Sequence, residues 1–439
     1  MPHEVQASDE RRFVFLKGGE DILATAEGET FNWDAAASHV RDHLAEALNA
    51  QHLSFLLGSG TSSLVTDGTQ RGVPTMAPLA KEFLETVGDA GSELFLTVEE
   101  RKALKTNLGL DLAAPELLAN LERLMEVLLS FEFALKHTEH DKLKVGKTHV
   151  DTAIKKVTKF IQTRCTIGEF TKGDESVLRL YQSFYRKLVY RDRTRTRPWI
   201  FTTNYDLFNE IAMDRLGVPY GNGFVGSVER RFNPATYRYS LAEQLDISSS
   251  KWSAVSGFVH LCKLHGSVNW IDDGKGFFRV REVLSGEDVS AERVMIYPTP
   301  AKQNSSFGSP YVDLFREFQM RVVRAQSVLF VIGYSFGDEH INNLIFQALT
   351  IPSFRIVIFA SPKAGGVIEK LRELGDPRIW IVGGDGPEEG ASAHYFSVVV
   401  DRFLPHLPGE KVDKAIEKVF ENLIAQASEA GAGSSAGEQ

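Results

Sequence analysis

Cysteine is scarce in this chain of 439 residues, in which Cys165 and Cys262 are the only two. A structural zinc site needs about four thiolate or imidazole ligands, commonly in pairs with Cys-x-x-Cys spacing. Neither cysteine has such a neighbour, and no substitute cluster of ligands is evident. We therefore predict that the chain binds no metal.

Long apolar runs and an excess of positive charge are also missing. No stretch approaches the roughly 18 to 20 apolar residues that a membrane span requires, and the first residues, MPHEVQASDERR, are polar. We therefore expect a cytoplasmic protein without membrane contact. With 49 basic and 58 acidic residues the net charge is −9, which argues against strong autonomous binding to nucleic acid. The basic run 191–197 could contact nucleic acid or an acidic partner, although a solvated connector is the favoured interpretation.

Short apolar runs that alternate with helical patterns are the main structural signal. Seven runs are typical of buried strands, at 52–57, 199–203, 258–264, 294–297, 328–332, 355–359 and 378–382. Strands rich in Val, Ile and Phe that alternate with helices predict an α/β, Rossmann-like parallel sheet with helices on both faces.

The predicted organisation has four parts. Residues 1–50 form an N-terminal annex of a strand and a helix, and residues 51–410 form the Rossmann-like domain, interrupted at about 77–190 by a helical module. A helix at 411–426 and a disordered tail at 427–439 follow, the latter because Ala, Gly, Ser and Glu dominate it. The aromatic and polar segment 222–257 could be a lid, an interface or a surface excursion.

Four strand ends carry polar residues that could bind a ligand, since ligands of open α/β sheets sit at the carboxyl edge. The first, Gly58-Ser-Gly-Thr-Ser62, could present amides and hydroxyls to a pyrophosphate, or could be a bare glycine turn. The second, Thr203-Asn-Tyr-Asp206, carries Asn204 and Asp206, either of which could instead cap the next helix. Both pairs of interpretations remain open from the residues alone.

The other two strand ends bear a histidine and a Gly-x-Ser turn. His265 precedes Gly266 and could act as a general base near neutral pH, although a lone histidine is more often structural. Gly333 and Ser335 follow a buried strand, and Asp338 is expected to cap a helix in which His340 is a packing or solvated residue.

Together and in this order, the four motifs resemble the sirtuin superfamily: Gly-x-Gly-x-Ser, Thr-x-Asn-x-Asp, His-Gly and Gly-x-Ser. The form Gly333-Tyr-Ser-Phe-Gly-Asp338 is similar to that of the sirtuin-like proteins of bacterial anti-phage defence, which hydrolyse NAD.

The resemblance implies a role for each matching residue. Asn204 and Asp206 would bind nicotinamide and its ribose, and His265 would be the base near the ribose hydroxyls, which makes these three the predicted catalytic residues. The predicted NAD-binding residues are Gly58, Ser59, Gly60, Thr61, Ser62, Thr203, Gly333, Ser335 and Ser361.

The resemblance also implies a function, with NAD as the substrate. Sirtuins that deacylate lysine carry a four-cysteine zinc module, which two cysteines cannot build. We therefore expect an NAD+ glycohydrolase that depletes NAD when phage triggers it, gated by homo-oligomerisation or by a hexameric HerA-type ATPase. The alternatives are an NAD-dependent deacylase or ADP-ribosyltransferase, and a non-enzymatic module that senses NAD or ADP-ribose.

Overall fold

The fold is known from a computed structural model, which describes part of the chain. The described residues are 11–24, 30–66, 68–136, 141–166, 174–189, 191, 194–246, 251–273, 279–283, 293–296 and 309–407. The predicted helix at 411–426 and the predicted tail at 427–439 lie outside this part.

A nine-stranded sheet forms the centre of the described structure. In spatial order its strands are Glu20–Asp21, Phe13–Lys17, Ile379–Gly384, Arg355–Phe359, Ser327–Ile332, His52–Leu57, Trp199–Thr202, Val259–Lys263 and Tyr220–Gly221. The seven strands from Ile379–Gly384 onward are parallel to one another. The predicted α/β class with a parallel sheet is confirmed.

Both faces of this sheet are covered, as alternate side chains of its central strand demonstrate. Val328, Phe330 and Ile332 belong to one buried apolar cluster, whereas Leu329 and Val331 belong to a second cluster on the opposite face. Successive side chains of a strand point to opposite faces, so a strand that is apolar throughout requires packing on both sides.

The N-terminal strand and helix are continuous with this sheet. The strand Phe13–Lys17 pairs antiparallel with Ile379–Gly384, and the helix Trp33–Leu48 follows it. Asn32 begins that helix, because its side chain accepts a hydrogen bond from the backbone of Ala35 at 3.0 Å. The predicted annex therefore adds strands to the edge of the central sheet.

One predicted strand lies in a different sheet. The run at 294–297 was expected in the parallel sheet, but Arg293–Ile296 pairs antiparallel with Gly266–Asp272. The second sheet has the order Arg293–Ile296, Gly266–Asp272, Val280–Glu282, Arg230–Phe232 and Phe224–Val225. The expectation was wrong because an apolar run indicates a buried strand without specifying its partner.

Helices dominate the segment between the strands His52–Leu57 and Trp199–Thr202. They span Met76–Glu85, Val98–Leu108, Pro115–Ala119, Leu121–Leu135, Asp141–Thr166 and Ser176–Val189, and we call them the helical module. The last of these helices packs on the sheet, where the Phe184 ring meets Phe55 edge to face at 5.1 Å.

Further helices cover the sheet after Trp199. They are Phe208–Leu216, Tyr311–Val322, Glu339–Leu349, Val367–Glu373 and Phe396–Val398, the last continuing into a π-helical turn at Val399–Phe403. Two small hairpins, Ser63–Thr66 with Thr69–Gly72 and Ala242–Asp246 with Lys251–Ala254, complete the strands among the described residues. None of the helices within the described ranges is long and apolar enough to cross a membrane.

Candidate functional site

The four sequence motifs meet at one edge of the central sheet. Their preceding strands, Ser327–Ile332, His52–Leu57, Trp199–Thr202 and Val259–Lys263, are direct neighbours in this order. Because these strands are parallel, their carboxyl ends present all four motifs side by side. This is the edge at which open α/β sheets bind ligands.

Gly58 and Gly333 allow two of the strand-end loops to touch. The backbone amide of Gly60 donates to the Gly333 carbonyl at 3.0 Å. A Cβ atom on Gly58 would lie 2.4 Å from the oxygen of Gly333, and one on Gly333 would lie 2.7 Å from the Thr61 nitrogen. Gly333 also has φ +66°, a conformation that favours glycine. Close packing of the two loops thus requires both glycines.

The Thr61 and Ser62 side chains face inward. Both residues are buried, and their hydroxyls lie 2.7 and 3.0 Å from the phenol oxygen of Tyr181, which belongs to the helical module. Thr61 also donates to the carbonyl of Gly58 at 2.8 Å. These hydroxyls, which the sequence predicts to contact a pyrophosphate, are thus hydrogen-bonded to protein groups in this structure. Ser59 and Gly60, by contrast, are half-buried.

Asn204 links the second motif to the first. Its Nδ2 lies 3.0 Å from the Gly58 carbonyl, 2.9 Å from Ser62 Oγ and 3.2 Å from Thr61 Oγ1. An amide nitrogen carries two protons, so the three acceptors share them. Thr203, the next residue toward the strand, uses its backbone amide to bond the Leu57 carbonyl at 3.1 Å. Asn204 therefore holds the glycine loop in place.

Asp206 is buried beside a lysine that sequence reasoning did not single out. Its Oδ1 accepts from the amide of Phe208 at 3.1 Å, as a residue at a helix start does. Lys263 donates to the backbone carbonyl of Asp206 and forms an ion pair with Glu210 at 3.0 Å. Burial raises the pKa of the Asp206 carboxyl, and the Lys263 charge only partly opposes this. The sequence does carry a signal for Lys263, since it is a cation among the apolar residues Leu261, Cys262 and Leu264.

His265 lies between two carboxylates. Its Nε2 is 3.0 Å from Asp338 Oδ2, and its Nδ1 is 3.4 Å from Glu122 Oε1, an ion-pair distance without the alignment of a hydrogen bond. Burial alone would lower the pKa of this imidazole, but Asp338 and Glu122 outweigh it and raise the pKa to about 9. The side chain predicted to be a base is thus an imidazolium at neutral pH in this structure.

Glu122 comes from the helical module, and sequence reasoning missed it. It lies in the first turn of the helix Leu121–Leu135, whose start Asn120 caps by accepting from the Glu122 amide at 2.8 Å. Tyr205, the residue between Asn204 and Asp206, donates its hydroxyl to Glu122 Oε1 at 2.6 Å. Burial raises the pKa of the Glu122 carboxyl, but His265 and Tyr205 reverse this and hold it below its ordinary value.

The fourth motif is a turn fixed by internal hydrogen bonds. Asp338 caps the helix Glu339–Leu349, as predicted, by accepting from the amides of His340 and Ile341 at 2.7 and 3.1 Å. Phe336 has φ +58°, and Asn342 holds it by donating to its carbonyl at 2.8 Å. Ser335 is exposed in this turn.

Ser361 follows the neighbouring strand Arg355–Phe359, where its hydroxyl accepts from the amide of Lys363 at 3.3 Å. Its described hydrogen bonds stay within its own turn. Its role toward NAD stays a prediction.

An open cleft of about 370 Å³ lies at the opposite edge of the sheet, lined by residues such as Gln51, Arg195, Gln326 and Arg355. The titratable cluster and the four motifs are at the carboxyl edge, so we assign the site there.

Residues 198–373, about two fifths of the chain, match the family model described as SIR2-like domain. The chain has a SIR2-like domain. This match includes the motifs around Asn204, His265 and Gly333, and it begins after the Gly58–Ser62 loop and the helical module. The match supports assignment of this part of the chain to the sirtuin-like superfamily, and with it a function that involves NAD. No curated protein matches the chain.

Metal-ligating side chains do not cluster in the described part of the chain. No group of three or more His, Cys, Asp or Glu residues there could hold an ion. Both cysteines are free thiols, and burial raises the pKa of each.

Proposed function

We propose that this protein is an NAD+ glycohydrolase, which cleaves NAD+ with water to nicotinamide, ADP-ribose and a proton. The observation that supports it most is the convergence of Asn204 and His265 with the carboxylates of Glu122 and Asp338 at the carboxyl edge of a SIR2-like domain. Cleavage of an N-glycosidic bond builds positive charge on the ribose, and a carboxylate such as that of Asp338 stabilises such a centre.

The proposed placement of NAD follows the four strand ends. The Gly58–Ser62 loop would hold the pyrophosphate, and Gly333 and Ser335 the adenosine half. Asn204 and Asp206 would orient nicotinamide and its ribose, with His265 close to the ribose hydroxyls. Positioning of this kind lowers the barrier without a strong acid, because nicotinamide is a good leaving group.

Hydrolysis is proposed over lysine deacylation because the chain has two cysteines, and they cannot supply the four thiolates of the sirtuin zinc module. A constitutive NAD hydrolase would be lethal to its host. We therefore propose a gated effector of anti-phage defence that acts in the cytoplasm, controlled by self-assembly or by a HerA-type ATPase partner.

The test is NAD turnover by the purified chain, alone and with the product of the neighbouring gene, with products identified by mass. We expect nicotinamide and ADP-ribose in equal amounts and no need for an acyl-lysine peptide. Asn204→Ala and His265→Ala should each abolish turnover. Release of acyl-ADP-ribose that requires a peptide would indicate a deacylase, and binding without turnover would indicate a sensor.

A matched control separates chemistry from folding. Asn204 is buried and hydrogen-bonded, so its removal leaves acceptors unpaired at a cost of about 1–3 kcal/mol. Asn209 is also buried and accepts from the Tyr185 hydroxyl at 2.7 Å, and it is outside the four motifs. Asn209→Ala should lose comparable stability and keep NAD turnover. Normal turnover by both Asn204→Ala and His265→Ala would overturn the proposed function.

A further inference from the structure

The contact of Glu122 with His265 joins the helical module to the SIR2-like domain. Glu122 belongs to a helix outside the matched residues 198–373, yet its Oε1 lies 3.4 Å from the His265 ring and 2.6 Å from the Tyr205 hydroxyl. A carboxylate of the module therefore reaches the two motifs that hold the predicted catalytic residues.

Resting on the proposed function, we propose that the helical module regulates NAD cleavage through Glu122. Glu122 is a positioning residue that holds His265 between two carboxylates, and it must move away before His265 can accept a proton.

The proton count of the imidazole gives the reason. With Asp338 facing Nε2 and Glu122 facing Nδ1, both ring nitrogens are best matched when both carry protons. A neutral imidazole has one N–H, so one carboxylate would then face a lone pair. A base that must take up a proton therefore requires that one of the two carboxylates withdraw.

Glu122 is the carboxylate that is free to withdraw. Asp338 is fixed by two backbone amides of the helix that it caps, and this helix packs on the central sheet through buried residues such as Ile341 and Ile345. The Glu122 side chain is 32% exposed, and its described partners are the His265 ring and the Tyr205 hydroxyl. A shift of one helix start would release it.

The electrostatics agree with this geometry. The groups that face His265 are Glu122, Asp338 and the Tyr205 ring, whose centroid is 6.4 Å away. Burial lowers the pKa of His265, and the two carboxylates raise it to about 9. A group with this pKa is neutral in about 1% of molecules at pH 7, so the base form is scarce while Glu122 is in place.

Glu122→Gln in the full chain tests the inference, with Glu126→Gln as the matched control. Glu126 is on the same helix and pairs with Arg123 at 2.6 Å, so its replacement also removes one negative charge. Two readouts are needed: the pKa of His265 from NMR of labelled histidines, assigned with His265→Gln, and the pH profile of NAD turnover without a partner protein.

We expect Glu122→Gln to lower the pKa of His265 by about one or more, the usual effect of losing an adjacent charge. The neutral fraction at pH 7, and with it partner-independent NAD turnover, should rise about tenfold. Glu126→Gln should change neither. Tyr205→Phe, which keeps the ring and removes the hydroxyl that binds Glu122, should act in the same direction with a smaller effect, and it supplies a second variant if Glu122→Gln folds poorly.

The outcomes separate the inference from the proposed function. An unchanged pKa overturns the inference, and so does a lowered pKa with reduced turnover, because Glu122 would then act on the substrate. If the pKa falls and neither the variants nor the wild type with its neighbour consumes NAD, the proposed function is overturned and the regulation of NAD cleavage with it.

Discussion

The protonated state of His265 makes the folded protein less stable as the pH becomes alkaline. The perturbation is a rise from pH 6 to pH 10, applied to the wild type and to His265→Gln. In the folded protein the pKa of His265 is about 9, against an ordinary value of 6.5. A raised pKa means that the folded state holds the proton more tightly than the unfolded chain does. The resulting stability is complete below about pH 6.5 and is lost as the pH rises through 9.

The magnitude follows from the two pKa values. Each pKa unit corresponds to about 1.4 kcal/mol, so the difference between 6.5 and about 9 is worth about 3 kcal/mol. His265 is 5% exposed, so solvent screens its ion pairs little. Both partners of His265, Glu122 and Asp338, have lowered pKa values. Their contributions to the free energy of unfolding are therefore lost on acidification instead.

Urea unfolding at four or five pH values measures the effect. The quantity is the free energy of unfolding of the wild type minus that of His265→Gln at each pH, because groups that titrate elsewhere cancel in this difference. We expect the difference to fall by about 3 kcal/mol between pH 6 and pH 10, with its midpoint of decline above pH 7. Parallel curves for the two proteins would refute an imidazolium between two carboxylates.

Two further predictions concern buried groups beside the site. Gly58→Ala should lower the free energy of unfolding by about 1–3 kcal/mol and abolish NAD turnover, because the new methyl would lie 2.4 Å from the oxygen of Gly333. The control is Gly365→Ala, whose methyl would have its nearest neighbour at 3.8 Å. It should change neither stability in urea nor turnover. Lys263→Met should cost about 3–5 kcal/mol by stranding the buried carboxylate of Glu210, and adding Glu210→Gln should restore much of the loss in thermal melts. If Gly58→Ala has the same stability and turnover as Gly365→Ala, the two loops do not require glycine at position 58. If Lys263→Met melts at the same temperature as the wild type, Lys263 does not stabilise the buried carboxylate of Glu210.

The sheet was predictable from the sequence because its strands are buried on both faces. The run 328–332 is apolar at every position and the run 355–359 at every position after Arg355, a pattern typical of strands in a parallel sheet that is covered on both faces. The partner of a strand is a different matter. The run at 294–297 is as apolar as the others, yet the turn at Gly266 sends the chain into a separate antiparallel sheet, which only tertiary packing decides.

The site was predictable to the extent that it lies at strand ends. Asn204, His265 and Gly333 follow buried strands, so the parallel topology alone brings them together. Glu122 could not be found in this way, because it sits in the first turn of a helix, where an acidic residue is ordinary. Only the packing of the helical module against Tyr205 gives that carboxylate a role.

The hydrogen bonds of the motifs also bear on how NAD could enter. Asn204 donates its amide protons to the glycine loop, and the hydroxyls of Thr61 and Ser62 are hydrogen-bonded to Tyr181 of the helical module. If these groups are to bind NAD as proposed, they must first give up protein partners, and one of those partners, Tyr181, belongs to the module. NAD binding and movement of the module would then break the same hydrogen bonds, those of Thr61 and Ser62 with Tyr181. An enzyme built in this way can stay idle at cellular NAD concentrations until another event displaces the module, which is what a gated NAD hydrolase requires.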